Sequence, residues 1–479
     1  MRAEYTASKM PPFCLLEEPL LTFNPDDTSL DVNPLRGLDQ CGAYSSLTFQ
    51  NYTASLRIAT MAPSGAWANL RSLVNTLRSA HTPSDRKEYV PMFRGFEKIF
   101  AVPLVAAQAE AHIRWADDLS SDGPPHVRLL HAMKDGMGRL SLVRDQFDVL
   151  MVYLPDSWQS AFRAPGFDAH DALKALGASH GIPTQVINDR VFSFSSKASL
   201  AWRLSIALYV KAGGIPWKLA PLPGVPDNTA YIGLAYALRG NPKDAHYVTC
   251  CSQVFDADGG GMQFVAFEAR DPVKDVDGAR RNPLLSRSDM RAVLARSLSL
   301  YQSRNGGFLP RRLVVHKTTS FKAEELEGAL DALSAVPEVE CVEITSNPGW
   351  RGVWLKQSRD KDRPSEPDDY PVPRGTMLQH SGVSALVWVA GNAPRASSRG
   401  DYYQGGKSIP RPISLTRYAG IGPLELTAHE ALALTKMDWN NDALYDPVPV
   451  TIRYSQRLAR TIANVPSLPG NAYAYRLFM

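Results

Sequence analysis

Apolar positions along the chain fall into two patterns, with the change near residue 220. Upstream, short apolar runs alternate with helical periodicities. Residues 56–61 (LRIATM) read as a strand, and 148–154 (DVLMVYL) as a buried parallel strand, apolar on both faces. Residues 66–78 place Leu70, Val74 and Leu77 at helical spacing. Residues 169–178 read as a helix ending near Gly181, and 184–187 as a short strand. A longer helix over 199–212 is closed by Gly213 and Gly214, with Pro216 as a stop. Residues 20–44, rich in Pro, Asp, Asn and Gly, read as a strand followed by turns.

The proline-rich segment 220–228 (APLPGVPDN) reads as a linker. Beyond it, 230–235, 247–255 and 262–268 read as strands, the last two joined by the hairpin turn DADGGG at 256–261. There follow a helix over 288–302, a strand over 312–316, an acidic helix over 323–333 and a strand near Cys341. A charged, proline-rich loop spans 359–373, and 383–390 (VSALVWVA) reads as a strand. Helices over 426–436 and 449–463 close the chain. No internal repeat occurs. The expected class is α/β: a strand–helix alternating first domain, then a mixed sheet with flanking helices.

Composition sets the outer bounds. At 479 residues, 44% hydrophobic and 21% charged, the chain has material for two or three cores of about 150 residues each. No run of about 20 apolar residues offers a membrane span. The N-terminus lacks the basic start, long apolar run and cleavage site of a signal peptide. Cys14, Cys41, Cys250, Cys251 and Cys341 are odd in number and include no CxxC pair, which fits free thiols in a reducing cytoplasm.

The net charge of +4 hides local bias. Residues 280–322 hold ten Lys or Arg and one acid, Asp289, whereas acid gathers between Glu324 and Glu343. Arg453, Arg457 and Arg460 recur at i, i+4 and i+7, one face of a helix. Two readings suit this segregation: a face for a polyanion, or a basic run whose counter-charges fold nearby.

The segment 170–218 carries the candidate chemistry. His170 and Lys174 are four apart, Gln185 enters a short strand, and Lys211 ends the next helix. A histidine, two lysines and an amide could converge on a terminal phosphate, the amide and imidazole hydrogen-bonding its oxygens and the lysines supplying charge.

This stretch resembles the MID domain of Argonaute proteins. In that family an aromatic or His residue is followed by Lys four later, a Gln after a Gly-x-x-Thr turn, and a Lys just before Gly-Gly. The match falls on His170, Lys174, Gln185 and Lys211, which the resemblance assigns to the 5′-phosphate of a guide strand. Many eukaryotic members carry a further Lys where this chain has Ala207. Prokaryotic members often substitute a divalent cation held partly by the C-terminal carboxylate, and the tail ending Leu477-Phe478-Met479 fits that arrangement. The resemblance therefore implies Mg²⁺ at the guide phosphate, held by Gln185 and the Met479 carboxylate. Residues 21–45 (LTFNPDDTSLDVNPLRGLDQCGAYS) resemble the segment preceding the MID domain. RRLVVHKTTSF and VPVTIRYSQRLAR resemble PIWI motifs, so the likeness covers nearly the whole chain.

The implied organisation is an N-terminal segment, 1–55, packing on PIWI, a Rossmann-like MID domain over 56–222, and an RNase H-like PIWI domain over 223–479. Slicing members clamp two metals with an Asp-Glu-Asp tetrad closed by Asp or His. Here Ala235, Thr318 and Gln456 stand at three of those positions. Neutral side chains cannot hold two Mg²⁺ ions, so no catalytic metal and no cleavage are expected. A chain with room only for MID and PIWI resembles the short prokaryotic Argonautes. The resemblance implies a cytoplasmic defence subunit that binds a guide RNA, pairs it with invading single-stranded DNA, and activates a partner carrying an APAZ region. A sirtuin-like partner is favoured over a TIR one; either would deplete NAD. The pair would be a heterodimer that oligomerises on activation, with no membrane partner. Arg287, Arg291, Arg312, Arg453, Arg457 and Arg460 are the expected nucleic-acid channel. Two other readings are a guide-binding protein that interferes without an effector, and a slicer with relocated ligands such as Asp438, Asp442 and Glu268.

Overall fold

The computed structural model describes residues 13–24, 29–45, 54–119, 123–239, 246–255, 263–272, 284–346, 348–356, 366–404, 408–465 and 472–479; from 238 to 283 only the backbone is described. The elements used below are, in chain order, β1 (Phe13–Leu15), α1 (Pro34–Cys41), β2 (Leu56–Pro63), α2 (Trp67–Arg78), β3 (Leu104–Ala106), β4 (His112–Trp115), α3 (Pro125–Ser141), β5 (Val149–Tyr153), α4 (Ala169–Ser179), β6 (Thr184–Ile187) and α5 (Lys197–Lys211). After the linker come β7 (Thr229–Arg239), β8 (His246–Phe255), β9 (Gln263–Pro272), α6 (Arg287–Arg304), β10 (Arg312–Lys317), α7 (Ala323–Ala332) and β11 (Glu338–Ser346). The chain closes with β12 (Thr376–Gln379), β13 (Ser384–Val387), β14 (Ile413–Ala419), α8 (Leu424–Leu434), α9 (Val450–Asn464) and β15 (Ala472–Ala474).

The first half builds a five-stranded sheet in the order β6-β5-β2-β3, with β4 also pairing β2 beyond β3. All its pairings are parallel, so helices must cover both faces. Period-two alternation divides β2 between them. Ile58 joins Leu70, Leu77 and Leu208 from α2 and α5. Ala59 and Met61 join Leu129, Met133 and Leu173 from α3 and α4.

The second half builds a ten-stranded sheet, β1-β12-β13-β14-β11-β10-β7-β8-β9-β15. Strands β7, β10 and β11 are parallel neighbours, while β8 and β9 extend the sheet antiparallel. Alternation again sorts the faces. Ala230, Ile232 and Leu234 pack with Met290, Val293 and Ala329 of α6 and α7. Tyr231 and Ala235 share the opposite core with Ile452, Leu458 and Ile462 of α9. That core continues into the first half, because it also contains Ile58 and Leu208.

The N-terminal segment reaches both halves. β1 pairs β12 at the rim of the large sheet, and Leu21–Thr22 pairs Lys218–Leu219, just before the linker. Glu18 is fully buried between Arg374 (2.9 Å) and Lys436 (2.8 Å).

Two helices depart from the sequence reading. Residues 34–41, read as turns, form α1. Asn33 caps it by accepting from Leu35 N (2.9 Å) and Arg36 N (3.2 Å), and Pro34 supplies the fixed φ of a first helical residue. Gly37 sits there because a Cβ would meet the Phe23 ring at 2.1 Å. The 17-residue α3 was not read at all, since Gly136 and Gly138 dilute its periodicity. A Cβ on Gly136 would press on the Met61 methyl at 2.8 Å, so close packing outweighs propensity. The strand expected over 383–390 is shorter, Ser384–Val387. Strands β8 and β9 pair antiparallel as a hairpin requires, but the DADGGG turn lies outside the described residues, as does much of the loop expected over 359–373.

Candidate nucleic-acid interface

The residues singled out over 170–211 converge where α4, β6, α5, α9 and the chain's last residues meet. Asp168 caps α4, accepting from His170 N (3.0 Å) and Asp171 N (3.1 Å). One turn on, Lys174 points inward and is 2% exposed. Its ammonium donates to the Thr184 carbonyl (2.7 Å) and to the main-chain oxygen of Met479. Lys211 occupies the last turn of α5, 1% exposed, and donates to Gln185 Oε1. A helix C-terminus favours a cation there. The chain then leaves sharply: Gly213 has φ +107°, and a Cβ on Gly214 would lie 2.2 Å from the Tyr209 ring.

Neither lysine meets a side-chain carboxylate. Burial pushes Lys174 down to about 7, with help from the Arg457 charge. Burial also holds Lys211 well below the usual lysine range, reinforced by Lys174 and then Arg457. Three basic groups therefore gather with no acidic side chain touching either lysine, and the neighbouring charges lower each lysine's affinity for a proton. Arg457 lies 3.5 Å from Asp438, stacks its guanidinium over the Tyr454 ring at 5.3 Å, and keeps a buried Nη1 without a hydrogen-bond acceptor. Sequence reasoning placed Arg457 in a channel; its electrostatic tie to the two lysines emerges only when α9 packs beside α4.

His170 stays at the half-exposed rim, one turn before Lys174, with Nδ1 3.6 Å from Asp171. Asp171 is buried and bound by Asn464 (2.6 Å), Thr461 (3.2 Å) and Arg460 (3.4 Å). Burial raises its pKa, but the His170 and Asn464 hydrogen bonds and the Arg460 charge outweigh that and hold it at about 2. Asp168, His170 and Asp171 bring ligand atoms within 4.8 Å of one another. The Asp171 oxygens are nonetheless already committed to α9, so this trio works as a clamp between α4 and α9.

The donor set bears on the expected Mg²⁺. Gln185 Oε1 and the Met479 oxygen both accept from lysine ammonium groups. With Lys174, Lys211 and Arg457 gathered there, the pocket suits an anion. A bare divalent cation would be repelled, and only one arriving with phosphate oxygens would find charge and ligands enough.

The expected channel divides. Arg312 is buried at 5% exposure, bound by Glu340 and by Glu430 (2.8 Å). It cannot reach a phosphate outside, which corrects its placement in the channel. Arg287 is half-exposed but paired with Glu327 (2.9 Å) and Asp331 (2.7 Å). Lys317 is buried on Glu325 (2.6 Å). Arg287, Arg311, Arg312 and Lys317 thus meet acids of the helix and strand that follow, as the second of the two readings expects, for that part of the run. Arg291 remains exposed on α6. Arg453 pairs with Asp446, and Arg460 is mostly exposed while touching Asp171.

The parallel register of β7 and β10 runs to Leu234 beside Lys317, at the end of β10, and Ala235 and Thr318 follow these two residues in the chain. Ala235 is buried on the α9 face, and Gln456 is exposed on α9. The carboxylates weighed as replacements are occupied. Asp438 binds Tyr454 OH (2.8 Å) and Asn440 N (3.0 Å); Asp442 binds Arg203 (3.0 Å) and Arg86. Glu268 lies where side chains are not described.

No family model matches the chain. A protein argonaute from Cereibacter sphaeroides (strain ATCC 17025 / ATH 2.4.3) is 23% identical over 461 residues, which is 91% of this chain and 54% of that one. The Clostridium butyricum Argonaute bound to a guide DNA and a 19-mer target DNA superposes with TM-score 0.68 at 15% identity, covering 98% of this chain and 55% of that one. The A. aeolicus Argonaute gives 0.60 at 14% identity, covering 98% and 56%. The chain spans about half the length of these relatives. The fold is therefore that of the MID and RNase H-like PIWI halves of Argonaute. No helix among the described residues is long and apolar enough to cross a membrane.

Proposed function

We propose that the protein is an Argonaute-family guide-binding subunit that senses nucleic acid without cutting it. The observation that carries this reading is the pair of buried lysines, Lys174 and Lys211, with Arg457 beside them and no acidic side chain in contact with either lysine. A terminal phosphate dianion would supply the missing charge and accept from all three. His170, at the rim, would meet the first base, and Gln185 would hold a phosphate oxygen once Lys211 turns to the ligand. Mg²⁺ arriving with the phosphate would neutralise further negative charge there, with Gln185 and Met479 offering the protein oxygens.

Ala235 and Thr318, which follow the paired Leu234 and Lys317, support a guide-directed complex that does not slice, since neither side chain can bridge two hard cations. Binding energy from target pairing would then be spent on a partner. We further propose the wider system implied by the sequence: a 5′-phosphorylated RNA guide, a single-stranded DNA target from plasmid or phage, and an APAZ-containing partner that depletes NAD. Arg291, Arg453, Arg457 and Arg460 remain available for the duplex backbone, where contacts position the strands and base pairing reads them.

The test is assembly. Purified protein, labelled guide RNA with a 5′-phosphate, and matched single-stranded DNA are mixed with Mg²⁺. A stable ternary complex with intact target supports the reading. Cleaved target, or no preference for the 5′-phosphate, overturns it.

A further inference from the structure

The five-stranded sheet carries a second concentration of positive charge at the edge away from the buried lysines. Gln185 lies on β6 at one edge, whereas β3 and β4 pair with β2 at the other. Between that edge and α2 opens a cavity of about 500 Å³. Ile58, Leu70 and Val74 give it an apolar wall, and Arg71, Arg78 and Arg114 stand around it.

No acid lines the cavity, and none of these arginines joins an ion pair among the described residues. Arg78 is anchored by donating Nε to the Leu104 carbonyl (2.7 Å). Arg114 is held over the Trp67 ring at 4.9 Å. Arg71 is exposed. His112 is locked between Thr60 (2.9 Å) and the Ala107 carbonyl (3.0 Å), and burial, with the Arg114 charge, pushes its pKa down against the Ala107 hydrogen bond. Arg287, Arg312 and Lys317, by contrast, each meet a carboxylate. Three guanidiniums around one apolar hollow repel each other until an anion enters. Their planar forks match phosphate, and the cavity size and apolar wall match a small ligand with a flat body.

We propose that this cavity is a second nucleotide site, with the phosphate on Arg71 and Arg114 and the base against Leu70 and Val74. The nucleotide is either free in solution or part of a strand passing over this face, and the two sources are separable.

The measurement uses Lys174→Met/Lys211→Met protein, in which the buried phosphate site is silenced. AMP, ADP and a 5′-hydroxyl oligonucleotide are titrated by calorimetry, alone and with Arg71→Glu or Arg71→Glu/Arg114→Ala added. Arg71 makes no described contact, so its charge reversal leaves folding intact, checked by thermal melting. The expected result is saturable binding weakened about tenfold or more by Arg71→Glu. Loss with AMP and ADP identifies a free nucleotide; loss with the oligonucleotide alone identifies a strand. No binding of any probe, or binding indifferent to both variants, overturns the proposal.

Discussion

Raising the pH from 7 to 9 should weaken the grip on a 5′-phosphate while leaving the rest of the guide contact unchanged. Lys174 titrates at about 7 when the pocket is empty, because burial and Arg457 disfavour its ammonium form. A phosphate dianion in contact would restore that form and raise the pKa, so binding above pH 7 takes up a proton. The ammonium fraction in the empty pocket falls from about one half at pH 7 to about one hundredth at pH 9, which costs about 50-fold in affinity. Lys211, also held low, steepens this further. The phosphate contributes little, since its second pKa is about 6 and it is doubly charged across the window. The assay is fluorescence polarisation with paired oligonucleotides, 5′-phosphate and 5′-hydroxyl, at fixed salt. Their affinity ratio cancels backbone contacts. Calorimetry in two buffers of different ionisation enthalpy should show proton uptake at pH 8. A ratio flat from pH 7 to 9, or one that Lys174→Met leaves as steep, would refute the reasoning.

Other outcomes follow from the same geometry. Lys174→Met/Lys211→Met should raise the unliganded unfolding free energy at pH 7 by about 1–3 kcal/mol once the Thr184 and Met479 oxygens have lost their donor, while abolishing 5′-phosphate preference. Unliganded wild type should gain stability as pH rises from 7 to 9, because Lys174 must carry a proton into the unfolded state, where its pKa is 10.5. Chelation by EDTA should cost less than about tenfold in 5′-phosphate affinity, against about 100-fold or more for the double lysine variant, with about 2 kcal/mol assigned to each charged contact. Arg312→Met should cost about 3–5 kcal/mol in chemical denaturation by stranding Glu340 and Glu430, with guide affinity unchanged in the folded fraction. Asp171→Asn should lower the melting midpoint at pH 7 and flatten the acid limb, since the wild-type contribution is lost as pH falls through about 2.

Much of this was legible in the chain because local and global signals agreed. The apolar run at 148–154 could only be a covered strand, and Gly213-Gly214-Ile215-Pro216 could only end a helix, so Lys211 had to sit at a C-terminus. The pairing of Arg312 was not legible. Its partner Glu430 lies 118 positions away on α8, and pattern alone cannot tell a buried strand arginine from an exposed one. The same holds for Asp171, whose ties to Thr461 and Asn464 come from helix packing across the two halves. Helix α3 was hidden by two glycines, and α1 by a proline that marks a helix start as readily as a turn. The arginine-walled cavity could not be seen either, because Arg71 and Arg114 meet only when α2 lies over β4.

The account stands or falls on what the buried lysines hold in the cell. Protein purified from cells, with and without the neighbouring gene product, is deproteinised and the released nucleic acid is end-labelled. Wild type should yield short strands that accept a new label only after phosphatase treatment, the mark of a 5′-phosphate. Lys174→Ala/Lys211→Ala, folded by its melting curve, should yield none. Equal amounts of 5′-phosphorylated strands from both proteins, or none from wild type even with the neighbouring gene product present, would contradict the claim that this cluster is a guide-phosphate site.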